Sequence, residues 1–125
     1  MEWKIELLGI AVTDLDRSRD FYRHIGWNID WDHTVSDEIR FVQVTPPGSA
    51  CSICFGTGLG SLTDLVPGSA RGIQLVIPDA DEALAFLRER GVSAQGVDEQ
   101  AWGRFVRLQD PDGNEYTLQQ LPQRG

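Results

Sequence analysis

Two cysteines three apart, Cys51 and Cys54, have a spacing that can hold zinc or carry thiol–disulfide exchange. The residues around them, Ala50-Cys51-Ser52-Ile53-Cys54-Phe55, read as a β-strand. Residues three apart on a strand face opposite sides, and the chain offers no second ligand pair. Two reduced, partly buried thiols fit this pattern better than a metal or redox centre. Histidine is as scarce, with only His24 and His33. His24 falls on a predicted helix. His33 ends an edge strand, where a lone histidine reads as solvated surface or as a contact at the rim of a site. The four tryptophans, Trp3, Trp27, Trp31 and Trp102, carry a stronger signal. Each indole offers a broad face for stacking and one N–H donor. The same residues suit core packing or an interface equally well. Phe41 and Phe105 would extend an aromatic wall, and Gln43 and Arg104 are candidate polar contacts with surface roles as the alternative.

The elements that position these residues come from a repeat. Val12-Thr13-Asp14-Leu15-Asp16 returns as Ile77-Pro78-Asp79-Ala80-Asp81, an offset of 65. The same offset carries Phe21 to Phe86, Gly26 to Gly91, Pro46 to Pro111 and Gly48 to Gly113. Two copies make a duplicated module, not a solenoid. Each copy opens with an apolar-alternating strand, Trp3–Val12 and Gly72–Ile77. Asp14 and Asp79 then stand where an N-cap accepts backbone N–H groups. The helices that follow carry apolar stripes ending at Gly26 and Gly91, which suit the left-handed C′ position. Three more strands complete each copy, at about Trp27–His33, Glu38–Thr45 and Ala50–Phe55, then Val92–Gln95, Trp102–Gln109 and Glu115–Gln120. Trp27 and Trp31 share parity on one of them. The turns Thr45-Pro46-Pro47-Gly48 and Asp110-Pro111-Asp112-Gly113 join the last two strands of each copy. The predicted class is α+β, two tandem βαβββ modules in one domain over residues 1–125. Module 1 covers about 1–56, a Gly/Ser/Pro-rich linker about 56–70, and module 2 about 71–125.

Composition narrows the function classes. The chain has 125 residues, 41% hydrophobic and 24% charged, which is globular. Its net charge of −8 repels a phosphate backbone, so nucleic acid is not an expected partner. No apolar run reaches the roughly 20 residues of a membrane span. The start, Met1-Glu2-Trp3-Lys4, has no basic n-region or apolar signal core, and the expected location is cytoplasmic.

The segment Val12-x-Asp14-Leu15-Asp16-Arg17-Ser18-x-x-Phe21-Tyr22, followed by Asp110-Pro111-Asp112-Gly113-Asn114, resembles the vicinal-oxygen-chelate superfamily. That superfamily includes the glyoxalases, the bleomycin-resistance proteins and the extradiol dioxygenases. The resemblance implies a cupped mixed β-sheet around a cavity, with the helices on the outer face. It also implies where a metal would bind. One ligand lies seven residues before each helix-starting Asp, giving Leu7 and Gly72. Another lies seven residues after the Asp of the last turn, giving Thr117, and the repeat offset carries that position back to Ser52. None of these four is a good donor for a divalent metal, so no metal and no cofactor are expected. With Leu7 facing the cup, parity adds Trp3, Ile5, Gly9 and Ala11. Ser52 brings Ala50 and Cys54, and Thr117 brings Glu115 and Gln119, while Tyr116 and Leu118 pack outward.

Such a wall is neutral, small-sided and poor in acid–base groups, which suits capture of a bulky ligand better than proton abstraction. The resemblance to the bleomycin-resistance type implies an antibiotic-binding homodimer. The expected function is self-resistance by sequestration of a planar, polycyclic aromatic natural product, held without chemistry and with no catalytic residue. The expected contacts are Leu7, Trp31, His33, Phe41, Gln43, Ser52, Cys54, Trp102, Arg104, Thr117 and Gln119. The alternatives are a metal-independent biosynthetic enzyme catalysing a cyclisation or ring opening, a metal-dependent lyase or dioxygenase, and a dimer with no ligand.

Overall fold

The structure is a computed structural model, described here for residues 1–123. Its order is β1 (Leu7–Gly9), α1 (Leu15–His24), β2 (Asn28–Thr34), β3 (Arg40–Thr45), β4 (Ser52–Thr57), a short 3-10 turn (Gly60–Leu62), β5 (Ile73–Val76), α2 (Ala80–Glu89), β6 (Asp98–Gln100), β7 (Gly103–Gln109) and β8 (Glu115–Gln120). The chain forms two compact units that divide between Ser69 and Ala70. Each is one βαβββ module with a four-stranded mixed sheet, ordered β1-β4-β3-β2 in the first and β5-β8-β7-β6 in the second. The outer pairs β1·β4 and β5·β8 are parallel, and all others are antiparallel.

The helices are capped as their sequences require. Asp14 accepts the Arg17 N–H at 3.0 Å and Asp79 accepts the Glu82 N–H at 3.0 Å. At the far ends Gly26 (φ 89°) and Gly91 (φ 70°) take the left-handed position. The following N–H groups, of Trp27 and Val92, donate back to Tyr22 and Leu87 at 3.0 and 2.9 Å, which are Schellman closures. α1 lies against β2 and β3, and α2 against β7 and β8. In module 1 the core between helix and sheet holds Tyr22, Val42, Val44, Ile53 and Phe55, with Trp27 stacked 5.0 Å from Tyr22. In module 2 it holds Ala80, Leu87, Val106, Leu108, Tyr116 and Leu118.

The Asp-Pro-Asp-Gly-Asn turn is a structural knot. Asp110 Oδ1 accepts the N–H groups of Asp112 and Asn114 at 3.0 and 2.8 Å, and its Oδ2 accepts the Asn114 amide at 2.8 Å. Asn114 Oδ1 in turn accepts the Ala70 N–H at 3.0 Å, which pins the start of module 2. Both side chains are buried, held by backbone N–H groups and by each other. This is the Asx-turn use of these residue types.

Three expectations change. β1 is Leu7–Gly9 instead of Trp3–Val12, and Trp3 and Ile5 stand 84% and 72% exposed. The third strand of module 2 is Asp98–Gln100, not Val92–Gln95. Of the earlier stretch only Ala94 bridges Leu108, because Val92 is used to close α2. The repeat also drifts. With β1 and β5 held at an offset of 65 (Gly9 to Gln74), sheet register equates Gln43 with Arg107, at 64, and Cys54 with Thr117, at 63. One cause is visible in the turns: six residues separate β3 from β4, but five separate β7 from β8.

Candidate functional site

Each sheet has one face packed on its helix and one face turned away. Register decides which residues share the second face, because paired residues point the same way. In module 1, Leu7 pairs Ser52, Gly9 pairs Cys54, Cys54 pairs Gln43, Gln43 pairs Trp31, and Phe41 pairs both Gly56 and His33. The face away from the helix therefore brings together Leu7, Trp31, His33, Phe41, Gln43, Ser52 and Cys54, all seven of the module's candidate contacts.

They are not equally reachable. Ser52 and Cys54 are buried, at 5% and 0% exposure, whereas Trp31 is 62% exposed. His33 is exposed, and Leu7, Phe41 and Gln43 are half-buried. The linker explains part of the difference. At Gly9 the Leu62 carbonyl occupies the space a Cβ would fill, so the 3-10 turn crosses this face above β1. Ser52 and Cys54 serve as a floor and not as open contacts. The exposed platform is the outer half, on β2 and β3.

Trp31 reaches that platform through a bulge. The β2–β3 register slips between Ile29 and Trp31, leaving Asp30 as the extra residue. Trp27 stays on the helix side, 8% exposed, and Trp31 emerges on the other. The shared parity read from the alternation is thus corrected by one inserted residue. Asp30 is held by three donors: Asn28 Nδ2 at 2.6 Å, Gln43 Nε2 at 3.2 Å and the Thr45 hydroxyl. Thr45 Oγ1 lies 2.6 Å from Ser52 Oγ. Partial burial works against the Asp30 charge, but the hydrogen bonds from Thr45, Asn28 and Gln43 outweigh it and lower its pKa. No motif in the sequence signals this network; the bulge creates it.

In module 2, Thr117 pairs Gln74 and Arg107, and Gln119 pairs Val76 and Phe105, all on the face away from α2. Gln119 is committed at both ends: its Oε1 accepts from Gln74 Nε2 at 2.5 Å and its Nε2 donates to the Trp102 carbonyl at 3.0 Å. Trp102 sits in the β6–β7 turn, 64% exposed. Arg104 is a correction. It pairs Gln120 and Glu99 on the helix side and binds Asp81 of α2 at 3.0 Å and Glu99 at 2.9 Å. It is the repeat mate of Arg40, which binds Asp16 of α1 at 2.8 Å. An offset of 65 would have matched Arg104 to Ile39 and hidden the likeness. Arg107, which the sequence did not single out, stands on the face away from α2 instead: with Gln109, Glu115, Ser93 and Gln95 it lines a hollow of about 190 Å³.

The metal positions also move. Register makes Cys54, not Ser52, the module 1 mate of Thr117. Burial pushes the Cys54 thiol up to about 11, so at neutral pH it is a thiol and not the thiolate a metal binds. Leu7 and Gly72 offer no donor, and Thr117 offers a neutral hydroxyl. This set does not fit a divalent metal. Among the described residues no group of three His, Cys, Asp or Glu is placed to hold one. No helix among them is long and apolar enough to cross a membrane.

Solved structures with this architecture include TnmS3, an antibiotic binding protein from Streptomyces sp. CB03234. It is 32% identical, with a TM-score of 0.83 over 97% of this chain and 98% of that one. A glyoxalase/bleomycin resistance protein from the same organism is 33% identical, with a TM-score of 0.78 over 94% of this chain and 100% of the other. A member of the glyoxalase/bleomycin resistance protein/dioxygenase superfamily from Sphaerobacter thermophilus DSM 20745 is 32% identical, with a TM-score of 0.80 over 95% and 98%. Among curated sequences, the uncharacterized protein YetH of Bacillus subtilis (strain 168) is 22% identical over 122 residues, 94% of this chain and 98% of its own. The profile of one superfamily matches residues 4–118. With that match across two βαβββ modules, the chain belongs to the Glyoxalase/Bleomycin resistance protein/Dioxygenase superfamily.

Proposed function

We propose that this protein is a self-resistance protein that binds and sequesters a planar, polycyclic aromatic natural product, an antibiotic of the producing cell, without a metal and without altering it. The observation that carries this reading is the whole-length likeness to TnmS3, an antibiotic binding protein, at 32% identity. The module 1 platform supports it. Trp31 offers an open indole face beside Phe41 and Gln43, and the positions where the resemblance would place a metal hold no competent ligand set. Leu7, His33 and Trp102 are further proposed contacts, with Thr117 and Gln119 on the corresponding face of module 2. Ser52 and Cys54 would act from beneath, by shaping the floor.

The working unit in this proposal is a homodimer of single-domain chains in the cytoplasm. A drug-sized ligand needs a site of about 300–1,000 Å³ that buries most of its surface. The Trp31 platform is an open face, so a second copy would supply the missing cover. The exposed apolar residues Trp3 and Ile5 would be suited to that contact. A metal-independent biosynthetic enzyme is the second reading, favoured by one observation: Arg107 and Glu115 share the hollow of module 2 and could polarise a small substrate group.

Native mass spectrometry with an aromatic metabolite library tests these statements together. The expected species has twice the 13.9 kDa chain mass, no bound metal and one intact ligand per chain. Trp31→Ala should weaken that ligand roughly 5- to 150-fold. Release of an altered molecule at substoichiometric protein would replace sequestration with catalysis, and one tightly held transition metal per chain would overturn the metal-free reading.

A further inference from the structure

The network beneath Trp31 has a fixed hydrogen-bond polarity, and it bears on which aromatics the platform takes. Ionised Asp30 has no proton to give, so each group that meets it must donate. Gln43 therefore turns its Nε2 to Asp30, at 3.2 Å, and its carbonyl Oε1 is left without a partner among the described residues. Thr45 spends its one proton on Asp30. The proton shared between Thr45 and Ser52 must then come from Ser52, and both hydroxyls keep only lone pairs to offer. Gln43 is the cross-strand partner of Trp31. An open ring face and a locked acceptor thus stand side by side, within about 5 Å at their Cβ atoms. The indole N–H lies in the ring plane and does not meet a ligand stacked on the ring face. In module 2 the amide near Trp102, that of Gln119, already has a partner at each end, its oxygen included, so an acceptor without a partner does not recur there.

We propose that the Asp30-locked Gln43 amide makes the platform selective for planar aromatics bearing an N–H or O–H donor on the ring edge, stacked on Trp31 and donating to Gln43 Oε1. This rests on the aromatic-capture reading above and adds a ligand class to it. Asp30 acts here as a positioning residue, holding Gln43 in one orientation.

Tryptophan quenching titrations with three matched probes test it: aminoanthraquinone, its dimethylamino analogue and unsubstituted anthraquinone. The amino group is a neutral donor, the dimethylamino group removes the donor protons while keeping the nitrogen, and the parent removes both. The wild-type protein should bind the amino compound about tenfold more tightly than either other probe. Gln43→Leu should erase that preference while still binding the parent. Asp30→Asn should weaken it, because an amide at residue 30 lets Gln43 turn over and present its NH₂. Thermal melts establish that each variant is folded; should Asp30→Asn fail to fold, the wild type and Gln43→Leu still decide. Equal affinity for all three probes in the wild type, or a preference that survives Gln43→Leu, would overturn the donor selectivity and leave aromatic capture standing. Quenching by none of them, with no aromatic retained from the wider library, would overturn capture and this inference together.

Discussion

The two modules share a chain path and differ in what fills it. Both cap the helix with an aspartate, close it with a left-handed glycine and clasp its first turn with an arginine from the sheet, Arg40 to Asp16 and Arg104 to Asp81. At the helix exit, module 1 places Trp27 where module 2 places Val92. At the first-strand position beside the last strand, module 1 has Gly9 and module 2 has Gln74. Module 1 alone carries the bulge that turns a tryptophan outward over a bound carboxylate. The duplicated devices build the fold. The unduplicated ones are where module 1 has been shaped, and they cluster around one face.

The largest expected effect probes the helix exit. Trp27 stacks on Tyr22 and is 8% exposed, so Trp27→Ala should cost about 3–5 kcal/mol of stability. Val92→Ala, at the mate position, should cost about 2 kcal/mol. Urea denaturation of both variants checks the ranking. Equal losses would mean that the aromatic stack contributes nothing beyond what the smaller side chain supplies.

The next effect separates Gly9 from Gln74. A Cβ at residue 9 collides with the Leu62 backbone, which cannot rotate away as a side chain can. Gly9→Ala should therefore cost about 3 kcal/mol through overpacking, and protease nicking within residues 58–63 should rise as the turn is displaced. Gln74→Ala should stay within about 0.5 kcal/mol. A neutral Gly9→Ala with an unchanged nicking pattern would show that the linker does not hold to this face.

The third concerns the clasps. Arg40 joins Arg19, Asp16 and Asp32 in a network, with contacts of 2.8–3.3 Å and with Arg19, Arg40 and Asp32 each at least three-quarters buried by side chain. Hydrogen bonds from Arg40 lead the effects that pull Asp32 down to about 2, against the opposing effect of burial, with Arg19 adding further hydrogen bonding. A depressed carboxylate contributes its full stabilisation above its unfolded value, near 3.8. That contribution is lost as pH falls from there through about 2. Asp32→Asn should cost about 1 kcal/mol at neutral pH and flatten the acid limb of the stability profile in that window. Arg104→Gln, whose partners are exposed, should cost less and leave the acid limb nearly unchanged. An acid limb unaffected by Asp32→Asn would assign the network no role in stability.

The sequence made the duplicated parts legible because they follow local rules. Asp14 and Asp79 are N-caps by residue type, Gly26 and Gly91 are C′ residues by backbone freedom, and the apolar stripes have a helical period. Register is not local. A constant offset of 65 hid Arg104 behind Ile39, because module 2 is already one residue shorter before β7, and it led to Ser52 in place of Cys54, because the β7–β8 turn then drops a second residue. A bulge is equally silent: Ile29 and Trp31 alternate as a flat strand would, yet Asp30 intervenes in the pairing and reverses the face. Strand parity still placed Leu7, Ser52 and Cys54 on one face, since a shift of two residues preserves parity, whereas Trp31, His33, Phe41 and Gln43 were chosen by residue type and join that face through pairing and the bulge. It could not foresee that the linker crosses that face at Gly9, because the signal is a missing Cβ and not a residue type with chemistry of its own.

The smallest expected effect sharpens the contrast between buried and offered tryptophans. Trp31 and Trp102 are 62% and 64% exposed, so truncating either removes little packing. Each alanine variant should stay within about 0.5 kcal/mol of the parent, far from the loss expected at Trp27. Acrylamide, a neutral quencher that the net charge of −8 does not repel, reads the same distinction in emission. A variant keeping only Trp27 should emit at short wavelength and quench weakly, whereas variants keeping only Trp31 or only Trp102 should emit at longer wavelength and quench readily. Dimer formation divides the two exposed cases further: shielding of Trp31 that grows with protein concentration would mean that a second copy covers the platform. A stability loss at Trp31→Ala as large as that at Trp27→Ala would make Trp31 a packing residue. The platform would then have no free aromatic face, and neither capture nor donor selectivity could be built on it.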